Sequence, residues 1–395
     1  MKRTTAVLIV LWLILLLGSN RAAAKLRDLI PSLYGGDGIQ LVDVAGHGPH
    51  FSFDTQNSFN QLNNQIASEV AIFPFTSSSG GFTYTFDPAR GTFVRTTETL
   101  GPLFAERAST LGRGKFSLNF AYTFYQFDRF EGNDVHSLQV TTRHQPDVIG
   151  DPNQRELFEL DSILVTLDAD IRVKLYTFAV TYGITNDLDV GILFPIVHVA
   201  MDIKSNARVI VSPQNPTPNL HTFGGPDSPV DSKSGDATGI GDIVLRAKYH
   251  LYKGPIADIA GALLLKLPSG DEDNFLGTGT TTLRPFLIVS RTFFDVFTPH
   301  LNLGYEIDFN RSKQDALNYV LGFEVGIEKF SALVDLLGRY KPNGNGIGDN
   351  TLTGSFGGKW NPFKQFVMFL NFQVPLNDQG LRSNVITTVG AEYTF

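Results

Sequence analysis

Few residues of this sequence stand in patterns that could do chemistry. The segment 46–50 holds two histidines, His47 and His50, and three consecutive acids occupy 271–273. Two imidazoles without a nearby third ligand are a weak metal signal. The acidic run lacks the glycine and the distant glutamate of a calcium loop. Both patterns are typical of exposed loops, so we predict no metal site and no cofactor.

Motifs for catalysis are equally sparse. The sequence contains no G-x-S-x-G, H-E-x-x-H or G-x-x-x-x-G-K-S/T pattern, the local signatures of α/β-hydrolases, zinc proteases and phosphate-binding loops. The glycine-rich run 344–348 stands in a polar stretch without a following helix, which is typical of a turn. A membrane-embedded hydrolase would need a serine and a histidine on one strand face at the same depth, and strand parity gives no such pair. We therefore predict a protein that is not an enzyme.

Composition narrows the class of protein further. Of the 395 residues, 18% are charged and none is cysteine, whereas a soluble domain carries about 25% charged residues. The missing cysteines exclude disulfides, cysteine-ligated metals and a lipid-modified cysteine. The net charge of −7 argues against nucleic acid as a partner, because binding to phosphates needs a basic surface.

The N-terminus predicts export. Two basic residues precede an apolar run over residues 6–17, and the small residues Ala22 and Ala24 follow. This order is typical of a secretory signal peptide, and the apolar run is shorter than the roughly 20 residues of a transmembrane helix. We predict a signal peptide over residues 1–24 that is cleaved after Ala24, and a mature protein that has crossed the inner membrane.

The rest of the chain alternates between apolar and polar residues. In the segments 301–309 and 319–327 the odd positions are apolar or aromatic, and the even positions are mostly polar or glycine. Successive side chains of a strand point to opposite faces, so each segment has one apolar face. A soluble β-sandwich buries that face, whereas an outer-membrane barrel turns it toward lipid and its polar face toward the lumen.

Three features favour the barrel. Glycine recurs on the polar faces, for example at Gly304 and Gly322, and glycine is tolerated where a sheet must curve. The chain ends on an alternation that includes Tyr393 and the terminal Phe395, which resembles the C-terminal assembly signal of bacterial outer-membrane barrels. Aromatic residues stand near the predicted strand ends, as an interfacial girdle requires: Tyr249, Tyr252, Trp360, Phe363 and Tyr393.

Short and long connections alternate between the predicted strands. We predict strands near 115–128, 157–184, 188–204, 239–252, 256–268, 280–295, 297–309, 316–329, 330–340, 351–363, 365–376 and 385–395. The long connections include 129–156 and 205–238, and outer-membrane barrels have short periplasmic turns and long outer loops. We therefore predict an all-β fold, a transmembrane antiparallel β-barrel over residues 114–395 with about 12 strands. A hairpin hidden in 157–184 would widen the range to roughly 10–14.

Residues 25–113 form an N-terminal segment ahead of the barrel. Apolar residues at helical spacing, among them Phe59 and Ile66, predict a short amphipathic helix after Asp54. The residues 82–94 are typical of a small hairpin. A barrel of this size has a narrow bore that the segment could plug. The alternative is a periplasmic segment that stays outside the lumen, and the sequence leaves both open.

The charged residues on the polar strand faces are the candidate functional residues. A Lys or Arg side chain in lipid at mid-bilayer costs about 2–4 kcal/mol, so these residues are expected to point inward. They either tune a permeation path or only brace the interior through ion pairs. The predicted lumen-lining set is Asp242, Arg246, Lys248, Glu306, Asp308, Glu324, Asp335, Arg339, Lys359 and Glu392.

Short motifs along the mature chain carry a family resemblance. They fall at 80–86, 182–185, 189–191, 239–243, 267–271, 302–306 and 375–378. In these motifs the chain resembles the bacterial outer-membrane family named for the MetA-type meta-pathway of phenol degradation. The resemblance implies a barrel linked to the uptake of small aromatic or other hydrophobic compounds. Fatty-acid and toluene transporters are a more distant likeness, and their N-terminal Asn-Pro-Ala motif is absent.

The sequence therefore predicts an outer-membrane channel or transporter of a Gram-negative bacterium. It would take up small hydrophobic or aromatic compounds passively. The alternative is a structural or surface-binding barrel with a closed lumen. Expected partners are outer-membrane lipid and lipopolysaccharide, the barrel-assembly machinery and a small hydrophobic ligand. The sequence specifies no oligomeric state.

Overall fold

The computed structural model describes most of the chain after the predicted signal peptide. The described residues are 25–35, 37–42, 49–70, 77, 84–87, 92–95, 99–145, 157–216, 218–224, 229–327, 329–363 and 365–395. The segment 1–24, with Ala22 and Ala24, lies outside them, so its cleavage stays a prediction. None of the helices among the described residues is long and apolar enough to cross a membrane.

A closed ring of strands dominates the fold. Within the described part of the chain, twelve strands pair antiparallel with their neighbours, and the last strand pairs with the first. They are β1 (Phe116–Phe127), β2 (Ser162–Gly183), β3 (Leu188–Ile210), β4 (Ile243–Lys253), β5 (Asp258–Leu267), β6 (Thr282–Ser290), β7 (Phe297–Asp308), β8 (Ala316–Ile327), β9 (Phe330–Tyr340), β10 (Asn350–Phe363), β11 (Phe366–Pro375) and β12 (Ile386–Thr394). The ring confirms the predicted barrel and its twelve strands.

The strands β2 and β3 form a hairpin, and each is much longer than the other strands of the ring. The two strands pair from Gly183↔Asp189 to Ser162↔Ile210, so the segment 157–184 contains one long strand rather than a hidden hairpin. The far ends of β2 and β3 rise above the ring, beyond the reach of β1 and β4. Two additional strands cover these ends: Leu138–Arg143 pairs with β2, and Val230–Ile240 pairs with β3. We call this raised part, with its two covering strands, the outer extension.

The outer extension corrects two sequence predictions. The predicted loops 129–156 and 205–238 each contain a strand, and β3 itself continues to Ile210. The strand Val230–Ile240 was missed because its residues are mostly Ser, Thr, Asp and Gly. Such a segment lacks the apolar periodicity of a membrane-facing strand, since neither face contacts lipid beyond the bilayer. The short strands Arg129–Phe130, Asn133–Asp134 and Leu381–Arg382 also stand in predicted loops.

In the ring, apolar side chains face outward and polar side chains face inward, which is the reverse of a soluble protein. On β7, Leu301 and Leu303 are each 47% exposed, whereas Asn302 and Glu306 are buried. The five aromatic residues that were predicted to form a girdle are all exposed, and they lie toward the short-turn end of the ring. An apolar outer band with aromatic edges is the surface that a bilayer requires.

This surface makes a direct prediction for Leu303, which lies midway along β7. Leu303→Arg is expected to lower the free energy of unfolding by about 2–4 kcal/mol, because the guanidinium would face hydrocarbon. The measurement is urea unfolding of the protein folded into lipid vesicles, with Leu303→Met as the matched control. An arginine variant that unfolds at the same urea concentration as the control would contradict a lipid-facing surface here.

In its described residues, the N-terminal segment contributes an α-helix and a small two-stranded sheet. The helix α1 spans Ser52–Val70 and buries Phe59 and Ile66, which confirms the predicted amphipathic helix. The strands Tyr84–Asp87 and Thr92–Arg95 pair antiparallel, as the predicted hairpin requires; the turn between them lies outside the described residues. The buried face of α1 packs into an apolar core inside the outer extension. Leu26, Ile30 and Leu33 enter the same core from a short 3-10 turn and the residues after it.

Candidate functional site

Residues 99–111, which we call the luminal segment, run through the interior of the ring. Among the described residues no strand pairs with this segment, so its backbone N–H groups need side-chain acceptors. The strands provide them. The N–H of Leu100 donates to Ser331 Oγ at 2.8 Å, that of Gly101 to Glu324 at 2.7 Å and that of Ala108 to Ser290 Oγ at 2.9 Å. These acceptors come from β9, β8 and β6, so one extended segment is tied to several strands.

Buried ion pairs add to these hydrogen bonds. Arg107 lies 2.9 Å from a carboxylate oxygen of Glu324, and both side chains are almost fully buried. The neighbouring Glu106 lies 2.5 Å from the guanidinium of Arg246. Lys248 Nζ donates to the carbonyl oxygens of Arg107 at 3.2 Å and of Ser109 at 2.7 Å. The luminal segment therefore meets charges of both signs on the barrel wall.

The structure divides the predicted lumen-lining residues into two groups. The first group contacts the luminal segment and comprises Arg246, Lys248, Glu324 and Asp335, the last through the backbone N–H of Phe104. The second group pairs with strands and outer loops and comprises Asp242, Glu306, Asp308, Arg339, Lys359 and Glu392. All ten are buried or half-buried inside the ring. Their part in permeation stays a prediction.

Several interior charges escaped the sequence predictions. Glu106 and Arg107 belong to an irregular segment, where no strand parity exists to assign a direction. Arg284 stands on β6, whose inward positions also carry Phe286 and Ile288, so polar and apolar residues do not alternate cleanly there. The sequence did contain one signal for these residues, because Glu106 and Arg107 stand side by side in an otherwise uncharged stretch.

The acidic run 271–273 contacts the N-terminal segment. Asp273 pairs with Lys25, and Glu272 lies 3.3 Å from the guanidinium of Arg27. The hydrogen bond from Lys25 holds the pKa of Asp273 below its ordinary value. His50 Nδ1 lies 3.1 Å from His144 Nε2, and His47 is outside the described residues. Among the described residues, no group of three or more His, Asp or Glu side chains could hold a metal ion.

A cavity of about 570 Å³ remains in the lumen between the end of α1 and the luminal segment. Its apolar lining includes Phe104, Tyr125 and Phe127, and its polar lining includes Arg284 and Arg339. Cavities of about 300–1,000 Å³ are typical of small-molecule sites. The cavity can therefore hold a small amphipathic molecule inside the barrel.

A second concavity, of about 660 Å³, lies on the lipid-facing wall beside Pro285 and Gly304, and its lining is apolar. The ladder between β6 and β7 is interrupted at Arg284 and Pro285, since proline has no N–H to donate. On the luminal side of this interruption, Arg284 Nε donates to Glu306 at 2.9 Å. Side chains rather than ladder hydrogen bonds thus close the wall at this point.

One known family model matches part of the barrel. Residues 162–336, which run from β2 into β9, match the family model described as "Putative MetA-pathway of phenol degradation". The match confirms the resemblance that the short motifs indicated. No curated protein matches the sequence.

The solved structures to which the chain is similar include outer-membrane channels, at low sequence identity and low TM-score. The COG4313 outer membrane channel from Pseudomonas putida F1 is 11% identical, with a TM-score of 0.47 over 73% of this chain and 98% of that one. The NanC porin is 8% identical, with a TM-score of 0.40 over 70% of this chain and 98% of that one. The toluene transporter TbuX of Ralstonia pickettii is 11% identical, with a TM-score of 0.33 over 72% and 89%.

Proposed function

We propose that this protein is an outer-membrane channel for passive uptake of small hydrophobic or aromatic compounds. One observation carries the proposal: a lipid-facing barrel encloses a cavity of small-molecule size, and a separate segment stands between that cavity and the short-turn end. The description of the matched family, with its reference to phenol degradation, supports an aromatic substrate. The absence of catalytic motifs from the sequence favours transport over catalysis.

We further propose that residues 25–113 act as a plug and that the barrel proper begins at residue 114. The luminal segment supports this division, because it occupies the bore and is held by side chains rather than by strand pairing. Passage of a substrate then requires the luminal segment to move aside. The ion pairs at Glu106 and Arg107 set how often it does so.

The proposed location is the outer membrane of a Gram-negative bacterium, where the barrel contacts lipid and lipopolysaccharide. The closing strand supports delivery by the barrel-assembly machinery. Phe395 exchanges backbone hydrogen bonds with Phe116, and the two rings stack at 5.5 Å. Together with Tyr393, Phe395 thus lies at the seam where the last strand meets the first, and we propose that both serve as the assembly signal.

The transport proposal is tested by uptake in cells. Deleting the gene is expected to slow uptake of phenols, alkylbenzenes or fatty acids at limiting external concentration, and the complete gene is expected to restore it. The readout is the initial uptake rate of labelled compound, compared with that of a freely permeating solute. Equal rates in deleted and restored cells for all three compound classes would contradict the proposal.

A closed structural or surface-binding barrel is the second candidate. The buried pairs of both signs favour it, since Lys359 on β10 and Glu392 on β12 pair at 2.7 Å and brace the wall. This candidate predicts no conductance and no solute flux in planar bilayers or vesicles, even at high solute concentration. Solute-dependent flux through the intact protein would exclude it.

A further inference from the structure

The charged lining of the luminal cavity is strongly unequal in sign. Among the described residues, six cationic side chains line it, against four carboxylates. The carboxylates are Glu69, Glu272, Glu306 and Asp308, and Glu69 is already paired with Lys341 at 3.1 Å. The cations are Arg27, Lys266, Arg284, Arg311, Arg339 and Arg382.

Two carboxylates are each shared by two guanidiniums. Glu306 accepts from Arg284 and lies 3.5 Å from Arg339. Glu272 lies 2.6 Å from Arg311 and 3.3 Å from Arg27. Arg27 also lies 3.6 Å from Asp273, whereas Arg284 and Arg339 share the single carboxylate of Glu306, so the surplus cation beside the cavity is at Glu306. Guanidinium is the group best suited to binding a further carboxylate, because its donors match both oxygens.

The remaining cations find mostly neutral partners. Arg382 donates to the carbonyl oxygen of Leu352 at 2.7 Å and to Asn377 at 3.0 Å. Lys266 donates to Thr278 at 2.7 Å and stands 3.9 Å from Asp242. Asp242 therefore balances Lys266, and the surplus cation beside the cavity stays with the two guanidiniums that share Glu306.

The opposite wall of the cavity is aromatic. Tyr125 and Phe127 line it from β1. In the ring of twelve strands, β1 lies six strands from β7, the strand of Glu306. The cations Arg284 and Lys266 stand on β6 and β5, next to β7 on the same side. The cavity thus places the aromatic rings of β1 across the lumen from the guanidinium of Arg284 on β6.

From this arrangement we infer that the cavity binds aromatic carboxylates, with the ring against Tyr125 and Phe127 and the carboxylate toward Arg284 and Arg339. The inference rests on the proposed transport function and specifies its substrate class. A neutral aromatic compound would fill the same space but leave Arg284 and Arg339 with only the carboxylate of Glu306 between them. A small aliphatic acid would reach the cations but leave the aromatic wall unfilled.

The test uses the full mature protein in detergent and titrates benzoate, benzamide and acetate by calorimetry. Benzoate is expected to bind roughly tenfold or more tightly than benzamide, because a charged hydrogen-bonded pair outweighs a neutral one. It is also expected to bind more tightly than acetate, because the ring buries apolar area. Arg339→Gln is chosen because Glu306 retains Arg284 as a partner. This variant should lose most of the benzoate preference.

Arg129→Gln is the matched control, since Arg129 pairs with Asp378 in the outer loops and does not line the cavity. Heat-dependent migration in gels shows that each variant is a folded barrel. Equal affinity for benzoate and benzamide, or an unchanged preference in folded Arg339→Gln, would overturn the inference.

Flux measurements in vesicles separate the inferred substrate class from the proposed transport function. Flux of phenol without preference for benzoate overturns the substrate class alone, whereas selective benzoate binding without any flux overturns the transport function.

Discussion

Deleting residues 25–113 is expected to convert a poorly conducting barrel into an open pore. Eight-strand barrels are filled by their own side chains, whereas barrels of sixteen strands or more leave a water channel. A ring of twelve strands lies between these limits, and here the luminal segment occupies the bore. We expect single-channel conductance in planar bilayers to rise on the order of tenfold when the segment is removed.

The deletion also removes the apolar partners of the outer extension, so folding must be checked. The deleted protein should still show heat-dependent gel migration, because the twelve-strand ring begins at Phe116. A smaller change is the double substitution Glu106→Ala/Arg107→Ala in the full chain. This variant should open briefly, with the same single-channel conductance as the deleted protein. Equal conductance of the complete and deleted proteins would show that the segment does not obstruct the bore.

Arg107→Met is expected to weaken the docking of the luminal segment strongly. Arg107 is the near partner of Glu324, and both are buried. Removing one partner of a buried ion pair typically costs about 3–5 kcal/mol, because the other charge stays in a poorly solvated place. The fraction of molecules with the segment undocked should therefore rise by a factor of roughly 10² to 4 × 10³.

The measurement uses the lack of cysteine in the chain. Ala108→Cys places a single thiol on the luminal segment at a fully buried position. Its rate of reaction with a maleimide then reports undocking, and Arg107→Met should raise that rate. Arg129→Gln is the control, because its exposed ion pair with Asp378 is worth only about 0–1 kcal/mol. Equal rates in Arg107→Met and the control would contradict a docking role for Arg107.

Much of the barrel was predictable from the sequence because the bilayer imposes a simple rule on each strand. In β7 and β8 every second residue must suit lipid, so parity alone assigns the direction of Leu303 and Glu324. The rule fails beyond the bilayer. Val230–Ile240 pairs with β3 without any apolar face, because its backbone hydrogen bonds rather than lipid contacts hold it.

The candidate site was only half predictable. Parity placed the wall charges such as Arg246 and Lys248, but their partner Glu106 lies in a segment without secondary structure. The backbone of the luminal segment is held by acceptors on the barrel strands, and these strands are far from it in sequence. Leu100 and Ser331, for example, are 231 residues apart. Local patterns carry no information about such contacts.

If solutes cross the lumen when the luminal segment moves aside, a reversible disulfide between that segment and the barrel wall should control their flux. Ala108→Cys/Ser290→Cys joins the segment to β6 at a point where backbone and side chain are already 2.9 Å apart. Flux of benzoate and phenol into vesicles is measured before and after reduction of the disulfide. Oxidation is expected to stop the flux, and reduction is expected to restore it. Flux that is identical in the oxidised and reduced protein would show that solutes do not depend on movement of the luminal segment.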